Sequence, residues 1–524
     1  MAEQIIEQIK SCLNHNKNFV VYGGAGSGKT YSLLQTIDYI YSVNKKNTIC
    51  CVTYTNAAVN EIKNRCPYSN LKVATIHDTL WDLISPYKKN LLEAFQDYLK
   101  LNHIDLGDNQ FSIKEIYYRQ YKKYEEGIIS HEEVLWFANY MFHKYSLLRK
   151  ILADKYKYFL IDEFQDTCSE LIDIVIETSL ENCMVVGLFG DVMQSIYENY
   201  KSDIPLLEKL HNNNYMFIKK EDNFRCSIKV ISLINKLRLD DIIQSPANNN
   251  KEGNVKFVFS NRDLKLNEIK NDNCFSEWNW NDEKNTKELF LTHKLISKET
   301  GFDNYLNAFN QYPNTLAIGK KEDERHPITN CLFRICEIIE LYNKKDYATL
   351  LKKINKKIKQ NDDKIKLKEI LELLLNNKDN NCLEVIDDVK NSGLLQIGNI
   401  FDDMSNKTQE LIKNLNNVKF REAFNAYQYS NEKTPFSTQH NIKGLQFENV
   451  FILLDNARWN NYNFVKLFSD DKSNCDLYER TLKLFYVCCS RSKSNLFIYF
   501  PKPNSIVLQK ANLLFGKENL IEIY

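Results

Sequence analysis

The chain has 524 residues, of which 43% are apolar and 26% charged, an ordinary balance for a globular protein and room for roughly three or four domains. The net charge of +1 excludes a globally basic nucleic-acid binder, so any such surface must be local. No apolar run is long enough to cross a membrane, and the start MAEQIIEQIK lacks the apolar core of a signal peptide. The expected location is therefore cytoplasmic, with no membrane partner. The 14 cysteines form no C-x-x-C pair and no histidine cluster has zinc spacing, so reduced thiols are expected.

The first strong element is an apolar strand from Phe19 to Tyr22, followed by GGAGSGKT and a helical stretch from Thr30 to Tyr41. Gly23, Gly24, Ala25, Gly26, Ser27, Gly28, Lys29 and Thr30 fit G-x-x-x-x-G-K-[ST], the phosphate loop of nucleoside-triphosphate sites. Glycines let the backbone N–H groups approach phosphates closely, and the helix aims its positive end at the same charge. Lys29 can reach the β- and γ-phosphates, and Thr30 can ligate Mg²⁺.

Further apolar runs follow at Ile49–Val52, Phe159–Ile161, Val185–Phe189 and Val450–Leu454, each leading into helical periodicity. Such runs read as buried parallel strands of doubly wound sheets, whose ligands bind at the strands' carboxyl ends. Lys29, Asp162, Gln194 and Lys443 all lie just after a strand, with Thr53 and His440 nearby. In YKYFLIDEFQDT, Asp162 suits a Mg²⁺ ligand and Glu163 a general base that takes a proton from attacking water.

Taken in chain order, these segments resemble the UvrD/Rep group of superfamily 1 helicases. CCVTYTNAAVNEIKNRC (50–66) is similar to the family's T-F-T-N segment, and ATIHDTLWDLI (74–84) to G-T-x-H. DEFQDT is followed by VVGLFGDVMQSIY (185–197), similar to G-D-x-x-Q-S-I-Y, and by DNFRCSIKVISLIN (222–235), similar to N-[YF]-R-S. STQHNIKGLQFENVFIL (437–453) is similar to T-x-H-x-x-K-G-L-E-F, and LKLFYVCCSRSKSNLFIY (482–499) to L-x-Y-V-A-x-T-R-A-K.

The resemblance implies an ATP or dATP site with Mg²⁺. Lys29, Asp162, Glu163, Gln194, Arg225 and Arg491 carry the chemistry, the two arginines sensing the γ-phosphate from the second core. Phe224 falls where the family stacks an aromatic on adenine, and Lys443, Gly444 and Gln446 where it contacts nucleotide. Gln8 is similar to the adenine-reading glutamine, with Gln4 as rival. Single-stranded DNA would be gripped by Tyr54, Thr55, Asn56, Thr75, His77, Tyr197 and His440, aromatics stacking on bases and polar groups meeting phosphates.

Three departures stand out. The family's G-W-R-G-A continuation is absent after Tyr197, where the chain reads Glu198-Asn199-Tyr200-Lys201. Gln446 replaces the glutamate of G-L-E-F, and Ser492 the alanine of T-R-A-K.

The expected architecture is α/β: two RecA-like P-loop domains, parallel sheets flanked by helices, with two mainly helical insertions. The first core spans 1–84 and 155–222, interrupted by a helical insertion at 85–154. The second spans 223–300 and 430–524, interrupted by a helical insertion at 301–429. Residues 492–524 are expected to be too few for a fused nuclease. The compact length also resembles helicase subunits of Gabija-type anti-phage systems, which work with a separate nuclease. The expected activity is an ATP-dependent DNA helicase or single-strand translocase moving 3′ to 5′ on single-stranded or 3′-tailed DNA, in anti-phage defence or repair. The alternative is a nucleotide-sensing, slowly hydrolysing subunit that controls a partner nuclease without unwinding. An RNA-directed enzyme is a third, weaker alternative.

Overall fold

The computed structural model describes residues 2–107, 113–119, 121–196, 204–276, 278–280, 282–354, 358–398, 405–456 and 459–524. The chain forms two compact units, Met1–Gly253 with Ser473–Ser494 and Asn254–Lys472 with Asn495–Tyr524. The boundary thus falls after Gly253 rather than after residue 222, and residues 473–494 return to the first unit. Arg225 and Arg491 consequently belong to the unit that carries the phosphate loop, not to the second core in which sequence order had put them.

The first unit is built on strands β1 (Phe19–Gly23), β2 (Ile49–Thr53), β3 (Leu71–Thr75), β4 (Tyr158–Asp162), β5 (Val185–Gly190) and β6 (Met216–Lys220). Their order across the sheet is β3-β2-β4-β5-β1-β6, and every neighbouring pair is parallel. Alternate residues serve opposite faces. Phe19, Val21, Ile49, Cys51, Leu160 and Phe189 face one core, which the helices Ala2–Asn14, Lys29–Val43 and Asn56–Arg65 cover. Val20, Tyr22, Cys50, Val52, Phe159, Ile161 and Leu188 face the other. Burial of both faces is why these strands read as unbroken apolar runs.

That second face is covered largely by the segment between β3 and β4. Leu80 and Ile84 of helix Ile76–Ile84, Phe95 of Lys88–Leu101, and Phe137 and Met141 of His131–Lys144 join the sheet residues in one continuous core. The first insertion is helical as expected, yet it is a layer on the sheet rather than a separately cored body.

The second unit repeats the plan with β7 (Asn254–Ser260), β8 (Thr286–Phe290), β9 (Phe436–Thr438), β10 (Phe447–Leu453), β11 (Ser492–Pro501, whose residues from Asn495 onward belong to this unit) and β12 (Leu520–Glu522), in the order β9-β8-β10-β11-β7-β12. Helices between His293 and Ser430 separate β8 from β9 in sequence and share a core with Val258, Phe290, Phe451, Phe497 and Tyr499 of the sheet. Glu422, late in this run, accepts from the Asn304 and Tyr305 backbone N–H groups at 2.9 and 3.2 Å and so ties its end to its beginning. Among the described residues no helix is long and apolar enough to cross a membrane.

β5 ends at a glycine that only close approach explains. A Cβ at Gly190 would lie 2.2 Å from Gln165 Oε1 and 2.6 Å from Phe164 Cδ1, in the segment following β4. Gly190→Ala should therefore displace Gln165 and cost about 1–3 kcal/mol, as overpacking of tight interiors does. Thermal unfolding measures this, and an unchanged midpoint would mean that Gln165 moves aside freely.

Candidate nucleotide site

The phosphate loop crosses from β1 to the helix Lys29–Val43. Gly28 caps that helix with φ 76°, a left-handed conformation that suits glycine. The Lys29 ammonium donates to the Gly23 and Gly24 carbonyls at 2.8 and 3.0 Å, which curls the side chain back over the loop. Burial lowers its pKa, while Asp191 and Glu163 oppose that shift. Thr30 is the second residue of the same helix and is half-buried. The Ser27 hydroxyl is buried without a hydrogen-bond partner among the described residues, as a loop shaped for an anion would leave it. These features fit the phosphate chain of a nucleoside triphosphate, and Thr30 and Asp162 are residues that could hold a divalent cation there.

β4 delivers the acidic pair two strands away. Asp162 is buried, and burial together with the neighbouring Glu163 pushes its carboxyl up to about 8. Glu163 sits at φ 53°, a strained position for a residue with a side chain. Gln165 Nε2 donates to Glu163 Oε2 at 2.6 Å, and Gln165 Oε1 accepts from the Asp191 N–H at 2.9 Å. The proposed base is thus oriented from the end of β5.

Segment 220–226 lies directly on the loop. Lys220 Nζ donates to Gly28 O at 3.0 Å and Ser32 Oγ at 2.6 Å. Burial, with Lys29 adding, lowers its pKa to about 8. Asn223 Nδ2 donates to Ala25 O at 2.9 Å, while its Oδ1 accepts from the N–H groups of Arg225 and Cys226. That turn sets the Arg225 Cβ 2.7 Å from where a Gly26 Cβ would be. It also leaves Phe224 exposed, 3.9 Å from the equivalent point at Gly28. Gln244 Nε2 donates to Ala25 O at 3.0 Å.

A buried polar network lies behind the loop. Arg238 donates to Asp191 at 3.0 and 3.5 Å, and Gln194 Nε2 donates to the same carboxylate at 2.8 Å. Burial alone would raise the Asp191 carboxyl, but Arg238 and Lys29 outweigh it and hold it below the usual range. Tyr486 donates to Asp191 Oδ2 at 3.2 Å and accepts from Arg238 and from the Ala25 N–H, at 2.5 and 3.1 Å. Gln194 Oε1 accepts from Arg491 Nη2 at 2.9 Å. Arg491 is 1% exposed, and burial, with Arg225 adding, lowers its pKa to about 10. Arg225 reaches the Ser490 carbonyl at 3.4 Å.

The structure therefore brings Lys29, Asp162, Glu163, Gln194, Arg225 and Arg491 together in one unit with Phe224. Lys220, Asn223, Arg238, Gln244 and Tyr486 join them, and the sequence reading had assigned none of these a role. Tyr486 could have been suspected from its place in the segment that supplies Arg491. Arg238 and Gln244 carry no local signal.

The other candidates fall elsewhere. Gln8 is exposed and lines a cavity of about 280 Å³ with His15, Lys17 and Met216–Ile218. Met216 pairs with Phe19 at the start of β1, so Gln8 lies toward the strand end opposite the phosphate loop; Gln4 is also exposed. Lys443, Gly444, Gln446 and His440 belong to the second unit, where His440 Nε2 hydrogen-bonds the Tyr462 hydroxyl at 2.7 Å. Tyr197 lies outside the described residues.

Tyr54, Thr55, Asn56, Thr75 and His77 all lie at the carboxyl ends of the paired strands β2 and β3. Tyr54 is 40% exposed. The Thr55 and Thr75 hydroxyls cap the following helices, accepting from Ala58 and Asp78 N–H at 3.2 and 3.3 Å. Asn56 is the first residue of its helix. Burial and the adjacent His131 lower the His77 pKa to about 4, so its ring is neutral at pH 7.

The AAA domain family matches residues 6–199. The chain is 25% identical to Gabija protein GajB of Bacillus cereus (strain HuB5-5) over 655 aligned positions, covering 95% of each. It is 22% identical over 315 positions to the probable DNA helicase II homolog of Rickettsia conorii, covering 49% of this chain and 46% of that one. Among solved structures, it matches the arterivirus nonstructural protein 10 helicase at 10% identity and a TM-score of 0.33, covering 95% of this chain and 61% of that one.

The Arg238–Asp191 pair has side chains only 1% and 0% exposed. Arg238→Ala should leave an uncompensated buried carboxylate and destabilise the protein by about 3–5 kcal/mol. Chemical denaturation tests this, and a loss below about 1 kcal/mol would show that water reaches Asp191.

Proposed function

We propose that this chain, a relative of the UvrD/Rep-type superfamily 1 DNA helicases, is an ATP hydrolase that couples turnover to movement along single-stranded DNA, 3′ to 5′. The observation that carries the reading is the Gln194 bridge. One amide holds Arg491 through its oxygen and Asp191 through its nitrogen, behind a complete phosphate loop.

In this reading Lys29 binds the β- and γ-phosphates, and Glu163, oriented by Gln165, takes the proton from the attacking water. Mg²⁺ on Thr30 and Asp162 would supply charge neutralisation at the phosphates. Arg225 and Arg491 meet the charge that develops during phosphoryl transfer. Tyr54, Thr55, Asn56, Thr75 and His77 meet the strand at the same edge of the sheet. Helicase homology and the likeness to a Gabija protein support a DNA substrate, a separate nuclease or other subunit as partner, and a role in anti-phage defence.

Lys29→Ala should abolish nucleotide binding, whereas Glu163→Gln should bind nucleotide and stop turning over. Isothermal titration and phosphate release separate the two, and wild-type turnover by Glu163→Gln would refute the base assignment. Arg225→Ala and Arg491→Ala should each lower turnover by roughly 10³-fold or more, with a much smaller change in affinity. Single-stranded DNA should stimulate hydrolysis, and a 3′-tailed duplex should be opened where a 5′-tailed one is not. Hydrolysis without strand displacement would favour the alternative of a nucleotide-sensing regulator.

A further inference from the structure

Four rings from three separate segments of the first unit touch in series. His77 and His131 lie 4.6 Å apart between centroids, His131 and Tyr118 5.3 Å, and Tyr118 and Trp81 5.8 Å. His77 and Trp81 share one face of the helix Ile76–Ile84, four residues apart. Tyr118 comes from the two-residue strand Tyr117–Tyr118, whose pairing with Ile128–Ile129 brings it beside His131 at the start of the helix His131–Lys144. The Tyr118 hydroxyl also hydrogen-bonds His131 Nδ1.

Core packing accounts for only part of this row: Trp81 and Tyr118 are partly buried against the core, but each keeps exposed area. The interior of the inserted layer is filled by Phe95, Ile129 and Phe137, each 1% exposed or less. By contrast His131 is exposed, and His77, Trp81 and Tyr118 are only partly covered. Tyr117 and Tyr121 beside them are 45% and 58% exposed. The same short segment is basic. Arg119 is exposed, its guanidinium donates to the Tyr118 carbonyl at 3.0 Å, and it has no ion pair among the described residues. Lys122 and Lys123 are exposed but face Glu133 and Glu126. The acidic neighbour of His77, Asp78, is engaged by the Thr75 hydroxyl at 2.8 Å.

We propose that Trp81, Tyr118, Arg119 and His131 form a base-stacking surface for single-stranded DNA that continues the Thr75–His77 edge onto the inserted layer. This inference rests on the reading of the chain as a DNA-dependent ATPase. Partly covered aromatic faces next to an unpaired guanidinium suit a strand held without sequence preference, bases on the rings and a phosphate on the cation. Direct contact with His77 joins this surface to the Thr75–His77 edge.

The test is fluorescence anisotropy of labelled oligothymidylate with the full-length protein across a salt series. His131→Ala and Tyr118→Ala should each weaken binding about 10-fold or more, within the range of one lost base stack, while Tyr118→Phe should bind as wild type. Arg119→Ala should flatten the dependence of log affinity on log salt by roughly 0.7, the share of one phosphate on a single strand. A purely structural role would move thermal unfolding and leave that slope unchanged. If Tyr118→Ala fails to fold, the exposed His131 and Arg119 variants decide. Wild-type affinity and slope in those two would overturn the surface while leaving the DNA-dependent reading intact. A wild-type protein with no oligothymidylate affinity and no DNA-stimulated hydrolysis would overturn the reading itself.

Discussion

Asp191 is a carboxylate taken almost wholly out of water, and such a charge is tolerated only when its lone pairs are filled. Arg238, Gln194 and Tyr486 fill them, and each of these groups has a second engagement. Tyr486 accepts the Ala25 N–H of the phosphate loop, and Gln194 accepts from Arg491. The demand of one buried charge therefore fixes the loop, the turn after β5 and the returning segment 473–494 against one another. Weakening any spoke would expose the charge, so the geometry of the nucleotide site is defended by the stability of the unit.

The sheet explains why function collects at one edge. With both faces buried under helices, polar side chains have no place along β1, β2, β4 and β5, and they appear where the strands end. The crossing order then sorts them. Asp162 ends β4 and Asp191 and Lys29 follow the neighbouring β5 and β1, whereas Tyr54 follows β2 and Thr75 ends β3 on the other flank. Thr55 and Thr75 each also cap a helix, so their positions are set by local backbone hydrogen bonding before any ligand is present.

Asn223 shows how a short motif acts. Its side chain accepts from the backbone of Arg225 and Cys226 and donates to the loop at Ala25, so the asparagine builds the turn that presents Phe224 and Arg225. In the linear motif the aromatic and the arginine carry the recognisable chemistry, and the residue that positions them shows its part only in the fold. A structural asparagine has no chemistry that marks it in a linear motif.

The sequence by itself determined the phosphate loop, the acidic pair at 162–163 and the alternation of apolar strands with helices. These depend on neighbours within a few residues, where spacing alone dictates which groups share a turn or a face. The long stretches without strand pattern between β3 and β4 and between β8 and β9 are legible in the same way, because loss of strand pattern is a local property. Tertiary structure alone decided that the chain divides after Gly253, that residues 473–494 rejoin the first unit, and that the inserted helices share a core with the sheets. It alone brought Arg238 and Gln244 to the loop and placed Gln8 toward the opposite end of β1. Those outcomes depend on contacts between segments far apart in sequence, made by side chains whose type is common and whose neighbours only folding supplies.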